Sequence, residues 1–289
     1  MAYAFDLADA DLSSSLRRIV GGELDAAISR LDRIDKPEAV HGIRKNLKKS
    51  RALLRLVRDG LSAQPAANLV LREVGLSLSA RRDAEVRLAT LDRLFPDRPE
   101  ALQPLRDTLS GAGPGPAGDP TTGLAEQLSR LRDRTRDWSL SGKDNRTLRE
   151  GLSATRRKAQ SAANAARRDR HNADLFHTWR KRAKDLWYQA RLFAPVWPDL
   201  FRPLVSDADR LGEILGDHHD LAVLAALVAG LPDDHVPGLV RHMLDARIGD
   251  ARSKIEAEAF PLSARLFAGD KDEVAALWVD WYRVWRGYG

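Results

Sequence analysis

The chain lacks cysteine, contains few aromatic residues and has no long apolar run. Without thiols it cannot form disulfides, zinc-thiolate sites or a cysteine nucleophile. No apolar stretch approaches the ~20 residues that are needed to cross a bilayer. The N-terminal segment has early acidic residues and no positively charged start, so it does not resemble a signal peptide. We therefore expect a cytoplasmic protein with no membrane segment.

The composition of the chain favours helices. Of the 289 residues, 43% are hydrophobic and 30% are charged, which is typical of a folded domain rather than a disordered chain. Alanine, leucine, arginine and acidic residues are abundant, whereas aromatic and β-branched residues are scarce. We predict an all-α protein. Helices are expected over residues 7–34, 37–60, 65–95, 98–110, 122–140, 145–170, 173–194, 199–230, 235–267 and 270–286.

A glycine- and proline-rich segment, residues 111–123, divides the chain into two parts. Because both residue types are unfavourable inside a helix, we predict a linker there. The prediction is a single domain over residues 1–289 that is made of two repeats. Residues 1–110 would form the first helical bundle, and residues 124–289 would form the second bundle with a C-terminal helix.

A basic motif occurs once on each side of this segment. The pattern H-x-x-R-K-x-x-K begins at His41 and again 136 residues later at His177. A later segment that begins at Val74 matches one that begins at Leu211, and this match places Gly75 opposite Gly212. Two matched segments in the same order indicate an internal duplication.

Each basic motif predicts a helix that is cationic on one face and apolar on the other. The cationic faces carry no interleaved acidic residues, although like charges four residues apart repel each other on a helix. A bound polyanion would offset that repulsion. The predicted binding residues are His41, Arg44, Lys45, Lys48, Arg51 and Arg55 in the first stripe, and His177, Arg180, Lys181, Lys184 and Arg191 in the second.

Phosphate is the favoured ligand chemistry, because guanidinium groups match phosphate oxygens in geometry. The formal net charge of +6 agrees with an anionic partner. Candidates for extending the surface are Arg17, Arg18, Arg82, Arg157 and Lys158. Nucleic acid is the alternative partner, since phosphate contacts dominate its affinity as well. The first stripe offers no aromatic platform for bases, which favours inorganic polyphosphate with weak nonspecific nucleic acid binding.

The two histidines suggest a pH dependence. Neighbouring cations should lower the pKa of His41 and His177 in the free protein, and bound phosphate should raise it again. We therefore expect polyphosphate to bind more tightly as the pH falls through the usual histidine range.

The two segments AVHGIRKNLKKSRALLRL and LFHTWRKRAKDLWYQARL, each followed by a helix of the LG-x-x-L-x-x-x-x-D type, resemble the CHAD domain family. The resemblance covers nearly the whole chain. It implies two four-helix bundles related by pseudo-twofold symmetry, with the basic helices lining a shared groove or pore that binds inorganic polyphosphate. It also suggests association with polyphosphate granules.

Other motifs do not predict catalysis. The string GDHHD at residues 216–220 resembles a metal cluster, but successive helical residues diverge by ~100°, so we predict no metal and no cofactor. The E-x-E-x-K motif of triphosphate tunnel enzymes, the P-loop and the G-x-S-x-G element are all absent. We predict a protein that is not an enzyme; an accessory module of phosphate-ester metabolism is a further alternative.

The C-terminal segment contains three tryptophans, Trp278, Trp281 and Trp285, at helical spacing. The spacing predicts core packing or a lid over the bundle, and a partner interface is the alternative. The sequence leaves the oligomeric state open.

Overall fold

The computed structural model describes residues 3–78, 83–111, 123–232 and 236–288. Within these ranges every regular element is a helix, which confirms the predicted all-α class. Over the same ranges, no helix is both long and apolar enough to cross a membrane. The α-helices are α1 (Leu12–Ile28), α2 (Pro37–Leu56), α3 (Gln64–Ser77), α4 (Asp83–Leu94), α5 (Gln103–Gly111), α6 (Leu124–Thr135), α7 (Asp144–Arg168), α8 (Ala173–Phe193), α9 (Pro198–Ala229), α10 (Gly238–Leu266) and α11 (Lys271–Tyr288).

Helix α6 packs with the N-terminal helices, although it follows the glycine- and proline-rich segment. It contacts α1 and α3, and it buries Leu124, Leu128 and Leu131. The predicted division had placed this helix in the second bundle. Because the apolar face of α6 is covered by α1 and α3, the packing of the helices does not divide at residues 111–123.

Helices α4 and α5 pack towards the C-terminal part of the chain. Helix α4 contacts α5, α9 and α10. Leucines of α4 and α5 share a small apolar core with residues of α9 and α10, among them Leu91, Leu105, Leu224 and Leu244. The N-terminal half of the sequence therefore supplies part of the packing around α9.

The main core is rich in aromatic rings between α8, α9 and α11. Phe193 of α8 and Phe201 of α9 both contact Trp278, which is 5% exposed. The predicted core role of Trp278 is therefore confirmed. Trp281 and Trp285 are only partly buried, and together with Trp197 they line a shallow apolar surface depression.

A glycine allows α7 to approach α2 very closely. A Cβ atom on Gly151 of α7 would lie 1.8 Å from the carbonyl oxygen of Leu56, near the end of α2. Only a residue without a Cβ atom fits at this contact. Helix α2, which carries the first basic stripe, is therefore held against α7 by backbone contact as well as by apolar side chains.

The residues before α1 form an irregular strap of bends and a turn instead of the helix predicted from residue 7. Asp11 caps α1 by accepting a hydrogen bond from the backbone N–H of Ser14, so the helix begins at Leu12. Before the cap, the Tyr3 hydroxyl donates to the carbonyl oxygen of Lys49 at 3.1 Å, and the Phe5 N–H donates to that of Leu192 at 3.0 Å. The strap thus connects α2 to α8.

Two helices occupy the range in which the sequence predicted one helix over residues 65–95. Helix α3 ends at Ser77, and α4 begins at Asp83. The helix-forming composition of this range gave no signal for the end of α3.

Candidate functional site

The two basic helices meet at one buried carboxylate. Asp185 of α8 is 4% exposed. One of its oxygens accepts a hydrogen bond from Nη2 of Arg55 on α2, and the other accepts one from Nη1 of Arg182 at 2.9 Å. The structure therefore brings the two predicted stripes together through a residue that the sequence analysis had not selected.

A group of cations surrounds this carboxylate, and we call it the seam cluster. Burial, together with the positive charges of Arg55, Arg72 and Arg182, lowers the pKa of Arg51 to about 10, against the opposite effect of Asp185. Arg51 remains charged at neutral pH and donates from Nε to Oδ1 of Asn68 at 3.0 Å. The seam cluster comprises Arg51, Arg55, Arg58, Arg72, Lys158, Lys181 and Arg182.

Burial and neighbouring positive charges also lower the pKa values of the two lysines of the seam cluster. Burial lowers the pKa of Lys158, and the charges of Arg58, Arg182 and Arg157 lower it further. The pKa of Lys181 is lowered first by burial and then by Arg182 and Arg51. Cations that depress each other's pKa values create a strong positive potential, which a bound anion would relieve.

The other side of the second stripe packs on α9 and is not a free cationic surface. Lys184 pairs with Asp209 of α9 at 2.8 Å, and Nε of Arg180 lies 3.4 Å from the carbonyl oxygen of Gly212. A Cβ atom on Gly212 would lie 2.5 Å from Cε of Lys184, and one on Gly216 would lie 3.1 Å from Nη2 of Arg180. The glycines of α9 therefore make room for the basic side chains of α8.

The first stripe makes a corresponding contact with the helix that follows it. Nη1 of Arg44 donates to the carbonyl oxygen of Gly75 on α3 at 2.8 Å. Arg44 and Arg180 occupy the same position in the recurring motif, as do Gly75 and Gly212. The matched segments found in the sequence therefore correspond to matched contacts between each basic helix and its successor.

His177 lies against His219 of α9, with the ring centroids 4.1 Å apart. Burial, followed by the charges of His219, Lys181 and Arg180, lowers the pKa of His177 to about 4. The direction agrees with the expectation for neighbouring cations, but burial is the larger cause. His177 is therefore neutral across the usual histidine range, and any strengthening of anion binding through its protonation would begin at a lower pH. His41 is exposed on α2.

Arg191, in the last turn of α8, and Lys49 of α2 approach each other across the ring of Tyr3. The guanidinium carbon of Arg191 is 5.7 Å from the centre of the Tyr3 ring, and Nζ of Lys49 is 5.4 Å from the same ring. Arg55 thus meets α8 near its middle, whereas Lys49 approaches the last turns of α8, so the two helices run antiparallel. Lys49 and Asp185 stand at the same position of the recurring motif, and Lys49 pairs with Glu23 at 2.7 Å.

A model of the CHAD domain matches residues 18–229, which is most of the chain. The chain belongs to the CHAD domain family. The match extends from α1 to the end of α9 and therefore includes both basic helices and the helix that follows each of them.

Solved structures share the fold of this CHAD domain. The crystal structure of the CHAD domain from the plant Ricinus communis is 22% identical, has a TM-score of 0.63, and is matched over 97% of this chain and 95% of that chain. PptA from Streptomyces chartreusis is 16% identical, with a TM-score of 0.57 over 86% of this chain and 99% of that chain. No match was found among curated protein sequences.

Four of the five candidate extensions of the basic stripes lie within the described residues, and they divide into two groups. Lys158 belongs to the seam cluster, and the exposed Arg157 acts on it electrostatically. Arg17 donates to the carbonyl oxygen of Trp138, and Arg18 binds Asp9 through two nitrogens and also contacts Ala4, so both have structural contacts away from the cluster. Arg82 lies outside the described residues.

Two further residues of the first stripe, Lys45 and Lys48, are exposed on α2.

Sequence reasoning missed Arg58, Arg72, Arg182 and Asp185 as site residues. Arg58 ends the basic run after α2, and its position in that run was the available signal. Arg182 and Asp185 lie beside the second stripe, on a face that periodicity alone did not assign to the site. The orientation of α3, which brings Arg72 to the cluster, depends on tertiary packing.

The GDHHD segment has several separate structural contacts. Asp217 pairs with Arg93 of α4, and His219 stacks on His177. His218 is 1% exposed, stacks on Phe176 at 3.8 Å and has Nε2 3.7 Å from Oε1 of Glu256. Among the residues that the structure describes, no three His, Asp or Glu side chains are grouped as metal ligands.

Proposed function

We propose that this CHAD protein binds inorganic polyphosphate at the seam cluster without hydrolysing it. The observation that carries the proposal is the convergence of cations from α2, α3, α7 and α8 around Asp185. Family membership supports it, because some CHAD proteins bind polyphosphate. The binding residues would be the seam cluster, extended along α2 by His41, Lys45 and Lys48.

The chemistry of the seam cluster suits a chain of phosphates. Arginine presents a planar set of N–H donors that matches two phosphate oxygens, whereas lysine supplies a mobile point charge. A linear polyanion can contact several of these cations at once, and each contact releases counterions. Such a ligand would relieve the repulsion that lowers the pKa values of Arg51, Lys158 and Lys181.

We further propose that the two basic helices belong to duplicated four-helix bundles related by a pseudo-twofold axis. The matched contacts of Arg44 with Gly75 and of Arg180 with Gly212 support this arrangement. So does the antiparallel contact between α2 and α8. The function would be cytoplasmic, with polyphosphate granules as a site of association, because granules present the ligand at high density.

Nucleic acid is the competing ligand in any test of this proposal. Proteins that bind single strands usually offer aromatic rings on which bases stack. Tyr188 is 5% exposed, and Trp187 already has Lys184 and Arg191 beside its ring. These contacts favour a ligand without bases, although phosphate contacts alone would give nucleic acid some affinity.

The test is a titration of the purified protein with long-chain polyphosphate, single-stranded DNA and double-stranded DNA at matched phosphate concentration and physiological salt. The variant is Lys158→Gln with Lys181→Gln, because neither lysine pairs with Asp185. The matched control is Arg202→Gln with Arg283→Gln, two arginines whose side chains are 77% and 67% exposed on other helices.

We expect the seam variant to bind polyphosphate about tenfold more weakly, which corresponds to ~1.4 kcal/mol, and the control to change by less than about twofold. Polyphosphate should also bind the wild-type protein more tightly than either DNA. Equal losses in both variants, or DNA that binds as tightly as polyphosphate, would contradict the proposal and indicate a generic basic surface.

A further inference from the structure

Asp185 is a negative charge in the middle of a site proposed to bind an anion. Its side chain is 5% exposed, whereas those of its partners Arg55 and Arg182 are 25% and 27% exposed. The carboxylate therefore lies beneath two guanidinium groups whose outer edges reach solvent. Burying a carboxylate is unfavourable unless it is paired and hydrogen-bonded, and each of its oxygens has a guanidinium partner here.

The two partners of Asp185 come from different helices. Arg55 lies on α2 and Arg182 on α8, so the carboxylate fixes one cation from each basic helix relative to the other. A guanidinium has five N–H donors, and each of these hydrogen bonds uses one of them. Nε of Arg55 is buried, so the donors that a ligand can reach are those on the solvent-facing edges of the two guanidinium groups, which are held in place.

Without the Asp185 carboxylate, the close grouping of cations in the seam cluster would be unfavourable. Arg55 and Arg182 both act on Arg51 as repelling charges, and Arg182 also acts on Lys158 and Lys181. Asp185 has the opposite effect on Arg51 and Lys158, because it favours their charged forms. Removing it would leave these cations free to move apart into solvent.

We infer that Asp185 is a positioning residue of the polyphosphate site, which strengthens the binding of a polyanion although it is itself negative. It does so by holding Arg55 and Arg182 in the arrangement that presents the cluster to the ligand. This inference rests on the proposed function. Preorganised cations bind an anion more tightly than mobile ones, because the ordering cost is met before binding.

The inference can be tested by the sign of a mutational effect. If only net charge mattered, Asp185→Asn would remove a repelling charge and tighten polyphosphate binding. Positioning predicts the opposite, a loss of about tenfold in affinity, comparable to the loss of an outer-sphere partner at a metal site. The matched control is Asp174→Asn, an exposed carboxylate on α8 that acts on Lys181; this variant should bind equally or slightly more tightly.

Two further variants separate positioning from a loss of folding. Asp185→Glu keeps the charge and lengthens the side chain, so it should also weaken binding, whereas a charge-only account predicts no change. In a background with Arg55→Gln and Arg182→Gln, Asp185→Asn should no longer weaken binding, because no guanidinium remains to be positioned. Affinities are measured with long-chain polyphosphate at several salt concentrations, below the thermal unfolding transition of each variant.

The outcomes distinguish this inference from the proposed function. If the wild-type protein fails to bind polyphosphate, both are refuted. If the wild-type protein binds but Asp185→Asn or Asp185→Glu binds as tightly or more tightly, only the positioning role is refuted. An equal loss from Asp185→Asn in the background without both guanidiniums would also refute it.

Discussion

Substitution of Gly151 by alanine should destabilise the protein through the contact between α2 and α7. The added Cβ atom would lie 1.8 Å from the carbonyl oxygen of Leu56, 2.7 Å from its carbonyl carbon and 3.0 Å from its Cα. All three atoms belong to the backbone, so no side chain can rotate away. Since ordinary contacts begin near 3.4 Å, the two helices would have to separate by roughly 1.5 Å, given the close packing of protein interiors.

The expected cost is about 3 kcal/mol, at the upper end of the range for overpacked sites. For a domain of this size, that corresponds to a fall in the thermal midpoint of about 6 °C or more. The same displacement would move Lys158 relative to Arg51 and Arg55, so polyphosphate affinity should fall as well. Thermal unfolding followed by circular dichroism measures the first effect, and titration with polyphosphate measures the second.

Gly249 provides the matched control for this prediction. It lies on an exposed face of α10, and a Cβ atom there would meet no atom within 4 Å. Alanine is the better helix former, so Gly249→Ala should stabilise the protein by about 0.5–1 kcal/mol. A midpoint for Gly151→Ala within about 2 °C of the wild-type value would refute the reasoning, because it would mean that the two helices can separate at little cost.

Two further predictions concern the stability of the fold. Burial, Arg252 and His219 lower the pKa of His218 to about 4, below its unfolded value near 6.5, so the unfolded chain binds a proton more readily and stability decreases as the pH falls from 6.5 towards 4. This group alone should lower the free energy of unfolding by about 2 kcal/mol between pH 7.5 and pH 5, and the decrease measured by urea unfolding should be smaller in His218→Phe; an identical decrease in both proteins would show that His218 is not responsible. Arg18→Ala should lower stability by about 3 kcal/mol, because it removes the cation paired with the buried Asp9 and leaves that carboxylate with the Ser15 hydroxyl as its donor. It should not change polyphosphate affinity, since Arg18 lies outside the seam cluster. A loss of affinity in that variant, measured below its unfolding transition, would return Arg18 to the binding site.

Helical class and the identity of the two basic helices were predictable from the sequence. Composition indicated helices, and the recurring motif selected α2 and α8. The apolar faces predicted for both helices are buried, as Ile43, Leu47 and Trp179 show. These features are local, because they depend on residues within a few helical turns. The family resemblance that rested on the same motifs is confirmed by the match over residues 18–229.

The arrangement of the side chains around the site was not predictable from periodicity. A helical wheel placed Arg180 and Lys184 on the same free face as Lys181, but α9 covers the first two through Gly212 and Gly216. The contribution of Arg72 depends on how α3 packs, which no local pattern encodes. The position of α6 was missed for the same reason, since a proline-rich segment indicates where a helix ends but not where the next one docks.

The contact between α2 and α8 is unequal although the two motifs recur. At one motif position α8 has Asp185, which binds Arg55 directly, and at the same position α2 has Lys49, which approaches Arg191 only through the Tyr3 ring. In a symmetric dimer of separate chains, any substitution at this position would appear twice, so an aspartate on one side would require an aspartate on the other. With both motifs on a single chain, one copy can keep an anchoring carboxylate while the other keeps its cation, and the site loses less positive charge than a symmetric pair would.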